Sequence, residues 1–277
     1  MNPSLDEFLN RAEVVMHHNT RSRPMSSLSE QTQVKVGVDL GTAYIVLAVL
    51  DEQRQPLAGE YCFAEVVRDG LVVDFHGAIQ RLAELKQNVE ARLGFELTSA
   101  AVTYPPGVPL AEVRATRHVV EAVGLDCRQA IDEPTAANAV LQVENGAVVD
   151  VGGGTTGIAV IRTGEVIYTA DEPTGGTHFS LVVAGALDMV FEEAEVYKRN
   201  SQNHNELFPL VRPVMEKIAS IITRHINGYD VETLYLVGGT ACFTGIDQVL
   251  AEETGLKTVV PSHPLFVTPF GVAMHDV

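Results

Sequence analysis

Tryptophan is absent from this 277-residue chain, and only seven tyrosines and ten phenylalanines stand in its place. An aromatic-lined platform for a sugar ring therefore lacks its strongest component. Positive charge is also scarce: 19 Lys and Arg against 36 Asp and Glu leave a formal net charge of −17. So acidic a surface repels a phosphate backbone, which argues against nucleic acid as a partner. The three cysteines, Cys62, Cys127 and Cys242, are scattered among apolar neighbours. They offer neither a disulfide framework nor metal-ligand spacing, and read as buried thiols of a reducing cytosol. There is no signal-peptide pattern and no apolar run long enough to span a bilayer, so the expectation is a soluble cytoplasmic protein without a membrane partner. Apolar residues, at 46%, are plentiful. At this length, two lobes with separate cores are favoured over one.

The chain is organised around Val148-Val149-Asp150-Val151-Gly152-Gly153-Gly154-Thr155-Thr156-Gly157-Ile158-Ala159-Val160-Ile161. Its Val- and Ile-rich flanks have the β-branched character of buried strands. Between them, three glycines permit close backbone approach and positive φ. Successive amides in such a turn make an anion-binding concavity, Thr155 and Thr156 add hydroxyls, and Asp150 can hold a metal. A phosphate–Mg²⁺ clamp and an ordinary Gly-rich hairpin both fit this stretch alone.

A second copy of the design tips the balance. Lys35-Val36-Gly37-Val38-Asp39-Leu40-Gly41-Thr42-Ala43-Tyr44-Ile45-Val46 is again strand, Asp-x-Gly-Thr turn, strand. Two such hairpins, each opening one half of the chain, imply a duplicated fold gripping one polyphosphate. With Glu133-Pro134-Thr135-Ala136-Ala137, Gly175-Gly176, Leu236-Val237-Gly238-Gly239-Thr240 and Pro269-Phe270-Gly271 following in order, the chain from Val34 onward resembles the actin-like ATPase superfamily. The resemblance implies an α/β fold of two lobes, each of ribonuclease-H-like topology, with ATP or ADP and Mg²⁺ in the cleft. Lobe I would span 34–146, closed by a helix over 268–277, and lobe II 147–267.

On this resemblance Asp39 and Asp150 serve the metal. Gly41, Thr42, Ala43 and Gly152, Gly153, Gly154, Thr155, Thr156 cradle phosphates, with Thr155 also among the catalytic candidates. Gly175 and Gly176 follow the second hairpin, and Gly238, Gly239 and Thr240 form the adenosine motif. Glu195 and Lys198, spaced i, i+3 on one helical face, resemble the purine- and ribose-contacting segment of bacterial actin homologues; a solvated helix end is the competing reading. Glu133 either orders the attacking water or compensates the helix dipole before an N1 proline. Two features depart from the family pattern. Gly157 stands where close relatives commonly carry an acid, and no lysine replaces the one that aids hydrolysis in DnaK-type chaperones, since Lys86 lies in a helix of structural character. Nucleotide binding is therefore better supported than brisk hydrolysis.

Ahead of the core, Leu5, Phe8, Leu9, Ala12, Val15 and Met16 share one face of a helix over Ser4–Met16, and His17 to Ser27 reads as a linker. So short a helix needs a surface: its own domain, or a microcompartment shell or cargo protein. Further on, the pattern predicts a strand over 60–67, a turn at Arg68-Asp69-Gly70 and helices over 75–93, 110–123, 177–190 and 210–226. Among branches, the whole chain is most similar to the short chaperone-like members associated with ethanolamine utilisation. That implies help in assembling or refolding ethanolamine ammonia-lyase or its microcompartment. A non-hydrolysing scaffold and a filament-forming bacterial actin homologue are the alternatives, and oligomeric state is left open.

Overall fold

The computed structural model describes residues 3–16, 33–68 and 71–277; Asp69 and Gly70 of the expected turn, and the expected linker, lie outside them. By internal packing the chain divides into two units, Met1–Gln142 with Phe266–Val277, and Val143–Leu265. No helix among the described residues is long and apolar enough to cross a membrane.

The first unit opens with α1 (Pro3–Met16), followed by the antiparallel meander β1 (Lys35–Leu40), β2 (Tyr44–Leu50) and β3 (Pro56–Phe63). A short pair, β4 (Val67–Arg68) and β5 (Leu71–Val72), leads into α2 (Phe75–Leu93), and then β6 (Ser99–Tyr104), α3 (Leu110–Ala122), β7 (Asp126–Asp132) and α4 (Glu133–Leu141). The sheet runs β3-β2-β1-β6-β7, with β6 parallel to β1 and to β7. The expected strand over 60–67 is really the end of β3, which pairs with β2 from Leu50↔Pro56 to Tyr44↔Phe63, plus the start of β4. Asp74 caps α2 by accepting the Gly77 amide at 2.9 Å, and Gly94, at φ 83°, ends it. Within α2, Leu82, Leu85 and Val89 are buried as their spacing predicts. Lys86 is committed to Glu90 at 2.7 Å on the same helix.

The question left by α1 is answered within the unit. Leu9, Ala12 and Met16 are fully buried, and the Phe8 ring meets Phe270 edge-on at 5.9 Å. The Arg92 guanidinium donates to the carbonyls of Val15 and Gly59 and to the Glu60 carboxylate, tying the end of α1 to β3. Of the two surfaces open to this helix, its apolar face thus packs on its own domain. Leu9→Ala is expected to cost about 2–5 kcal/mol. At about 2–4 °C per kcal/mol, the melting temperature should fall by roughly 4–20 °C. An unchanged melt in differential scanning calorimetry would detach α1 from this surface.

The second unit repeats the topology. It contains β8 (Asn145–Val151), β9 (Thr156–Arg162), β10 (Glu165–Glu172), α5 (Gly176–Leu187), α6 (Phe191–Arg199), α7 (His204–Ile226), β11 (Thr233–Val237), α8 (Ile246–Thr254) and β12 (Lys257–Val259). Its sheet order is β10-β9-β8-β11-β12, with the first three antiparallel and the last two added in parallel. Asp188, in the left-handed region at φ 53°, stops α5 before 190. At the other end, α7 starts six residues earlier than expected and contains Pro209 and Pro213. Each proline forfeits a backbone bond, but Leu207, Val211, Met215, Ile218 and Ile222 bury one continuous face, which outweighs the loss.

The thiols need one correction. Cys127 is buried, and burial pushes it up to about 11. Cys62 is half-buried, but Cys242 is exposed: in the short 3-10 turn Gly239–Cys242 it is Ala241, followed by Phe243, that faces the core.

Candidate functional site

Both Asp-x-Gly hairpins close in the same way. Gly41 donates its amide to the Tyr44 carbonyl at 2.9 Å, and Gly152 donates to Thr155 at 3.0 Å. In each case the aspartate lies two residues before the turn, at the end of its strand: Asp39 pairs across with Val46, and Asp150 with Gly157. Thr42 and Ala43 occupy the first turn, where the Ala43 carbonyl also accepts the Ala64 amide at 3.0 Å. Thr103 on β6 donates to Asp39 Oδ1 at 2.7 Å and orients that carboxylate. Glu133 opens α4 and is half-buried. The helix is capped instead by Asp132, which accepts the Thr135 amide at 3.0 Å. Capping therefore does not require Glu133.

In the second unit the predicted residues converge through direct contacts. The first amides of α5 tie down the glycine loop: Gly176 donates to the Gly152 carbonyl at 3.0 Å and Thr177 to Gly153 at 2.7 Å. Thr240 Oγ1 donates to the same Gly152 carbonyl at 2.7 Å, and Thr156 Oγ1 to Thr174 at 2.6 Å. Two glycines are required by close approach. A Cβ on Gly176 would stand 2.4 Å from Thr240 Oγ1. One on Gly238, already at φ 89°, would stand 2.3 Å from Asp150 Oδ1. The phosphate loop, the Gly238-Gly239-Thr240 turn and the start of α5 thus meet at Gly152.

Glu195 and Lys198 join this cluster and are not a solvated helix end. Lys198 Nζ donates to Glu195 Oε2 at 2.7 Å and to the Gly176 carbonyl at 3.0 Å. Ser180 Oγ donates to the same carboxylate oxygen. Burial lowers the Lys198 ammonium from its ordinary value, against the upward pull of Glu195. Behind them, His204 receives the Thr244 amide on Nδ1 at 3.0 Å, so its other nitrogen, 2.9 Å from the Lys198 carbonyl, is the donor. Burial lowers this imidazole too, consistent with the neutral form that the two contacts require. It pins the end of α6 to the segment following β11. Thr103, Ser180 and His204 were not singled out from the sequence, because their roles arise from strand register and helix packing.

This arrangement suits a nucleotide. Glycines replace side chains where a Cβ would fill the cradle, successive loop amides can meet an anion while the Thr156 and Thr240 hydroxyls brace the loop from behind, and Glu195 with Lys198 offers paired polar contacts for a ribose or base. Among the described residues, no group of three or more His, Cys, Asp or Glu is gathered to hold a metal ion. A cation at this second-unit cluster would rest on the strand-end carboxylate of Asp150 and on water, as a nucleotide's Mg²⁺ does.

Comparison with known proteins gives the family and the fold. The family model for the type IV pilus assembly protein PilM matches residues 139–268, and that for MreB/Mbl matches 62–187. The ethanolamine utilization protein EutJ of Salmonella typhimurium is 42% identical over 246 residues, covering 88% of this chain and 86% of that protein. A crystal structure of EutJ from Carboxydothermus hydrogenoformans superposes with a TM-score of 0.88 at 46% identity, covering 98% of both chains. MreB 5 of Spiroplasma citri, solved bound to AMPPNP, shares the fold at a TM-score of 0.72 and 16% identity, over 89% of this chain and 96% of that one.

Proposed function

Since the chain belongs to the EutJ family within the actin-like ATPases, we propose that it is an ATP- and ADP-binding, chaperone-like protein of ethanolamine utilisation. Its nucleotide state would govern the assembly or refolding of ethanolamine ammonia-lyase or the microcompartment, with which it would associate in the cytoplasm. The observation that carries the nucleotide reading is the convergence on Gly152 of the phosphate loop, Thr240 and the start of α5, with Lys198 bonded to Gly176.

In this reading Mg²⁺ neutralises phosphate charge. Asp39 and Asp150 hold its water shell. The backbone of Gly41–Ala43 and Gly152–Thr156 binds phosphate, and Gly238–Thr240 with Glu195 and Lys198 takes the adenosine. Glu133 is assigned to orienting water. Turnover is slow, well below a typical enzyme's roughly 10 per second, because Gly157 brings no carboxylate to the loop and Lys86 is held by Glu90. That same observation favours the second reading, an actin-fold scaffold that binds nucleotide without hydrolysing it.

Calorimetric titration with Mg-ATP followed by a phosphate-release assay separates the two. Binding heat with slow release supports the switch, and binding without release supports the scaffold. No heat at millimolar nucleotide would leave only a scaffold whose site is empty.

A further inference from the structure

Gly157 removes an acid from the phosphate loop, yet the strand register returns one from the neighbouring strand. Gly157 pairs with Asp150 on β8 and, on its other side, with Asp171 on β10. Residues directly opposite in antiparallel strands project to the same face of a sheet. Asp150, Gly157 and Asp171 therefore form one row. The alternation along these strands identifies its face: Val149, Val151, Ile158 and Val160 point into the helical core, so the row lies on the opposite side. The two aspartates are separated by two strand spacings, about 10 Å, and the residue between them has no side chain.

Several constraints hold Asp171 there. Glu172 pairs with Thr156, the Thr156 hydroxyl bonds to the Thr174 carbonyl, and Gly176 and Thr177 bond to the phosphate loop. One carboxylate oxygen of Asp171 is buried. The equivalent row of the first unit runs Asp39, Val46, Tyr61, so the fold itself does not call for an acid at this place.

We infer that Asp171 is a positioning residue for the nucleotide's divalent cation, holding the cation's water across Gly157 from Asp150; from the neighbouring strand it supplies the cation-ordering part of the acid that the loop lacks, and not its place beside the attacking water. This rests on the nucleotide-binding reading above. It also explains why Gly157 is small: an aspartate there would sit directly opposite a like charge on each side, a destabilising arrangement.

Titrating ADP in EDTA and in Mg²⁺ into the wild type, Asp171→Asn, and the double variant Gly157→Asp/Asp171→Asn tests the inference. In EDTA all three should bind alike, because the backbone and adenosine contacts are untouched. Mg²⁺ should tighten the wild type about tenfold more than Asp171→Asn, a factor that corresponds to about 1.4 kcal/mol and suits a contact made through the cation's water. The double variant should regain that tightening, because its new carboxylate enters the same row. The electron paramagnetic resonance spectrum of bound Mn²⁺·ADP should change in Asp171→Asn and return toward wild type in the double variant. If Asp171→Asn gains as much from Mg²⁺ as the wild type, or if the folded double variant shows no recovery, the assignment to Asp171 is wrong and the nucleotide site stands. A wild type that binds ADP in neither buffer removes the site and the inference together.

Discussion

Gly271→Ala should cripple the first unit. In an isolated helix the change would favour folding by about 1 kcal/mol, but here the added Cβ would stand 1.9 Å from the Ala136 carbonyl oxygen and 2.5 Å from its carbon. Those atoms are backbone of α4 and cannot swing aside. The opposite face of the same closing helix, Val267–Ala273, is equally constrained, because a Cβ on Gly37 of β1 would meet the Pro269 oxygen and the Ala273 nitrogen at 2.5 Å. Overpacking typically costs about 1–3 kcal/mol and occasionally more, and backbone packed close on both faces of the helix puts this change at the upper end. The expected result is a melting temperature lower by roughly 10 °C, or failure to accumulate folded protein. A variant that melts at or above the wild-type temperature would show that helix propensity wins and that this helix is not wedged between β1 and α4.

Asp39→Ala together with Asp150→Ala should abolish Mg²⁺-dependent nucleotide binding while leaving both units folded. Asp150 is buried beside Gly238, and Asp39 is hydrogen-bonded by Thr103. A strand-end carboxylate in such a place is costly to desolvate, and beside a Gly-Thr turn it is placed to serve a ligand's cation or that cation's water. Truncation relieves desolvation but leaves the buried Thr103 hydroxyl without its acceptor, so stability should fall by about 1–3 kcal/mol, short of unfolding either unit. Each lost charge-assisted contact is worth about 1.5–3 kcal/mol, so the pair should weaken Mg-ATP binding by roughly a hundredfold to ten-thousandfold. Calorimetry gives the affinity and circular dichroism checks the fold. Wild-type affinity in the folded double variant would overturn the assignment of both hairpins.

What could be read from the sequence follows from where information is local. Asp-x-Gly-Thr encodes a strand end, a turn and a carboxylate within a few adjacent residues, so both hairpins and the duplicated α/β topology were legible. Glu195 and Lys198 were legible as neighbours by helical spacing, but their burial was not, because Ser180 and the Gly176 carbonyl reach them from another helix. Asp171 was invisible for a different reason. Its relation to Gly157 crosses 14 positions and exists only once β9 and β10 are in register. The early start of α7 was hidden by Pro209 and Pro213, which signal a break locally while the buried face continues through them.

The discontinuity of the first unit has a consequence for synthesis on the ribosome. Residues 143–265 are contiguous, so the second unit can complete its sheet as soon as it clears the exit tunnel. The first unit cannot: β1 and α4 await Phe266–Val277, and Phe8 awaits Phe270. Asp276 also belongs to this last stitch, since its carboxylate accepts the Val36 amide and the Ser99 hydroxyl. The usual amino-terminal-first order is thus inverted, with the half made first finished last. A nascent chain that ends at residue 265 carries a completed second unit and a first sheet with its closing groove open, a natural mark for quality control to read.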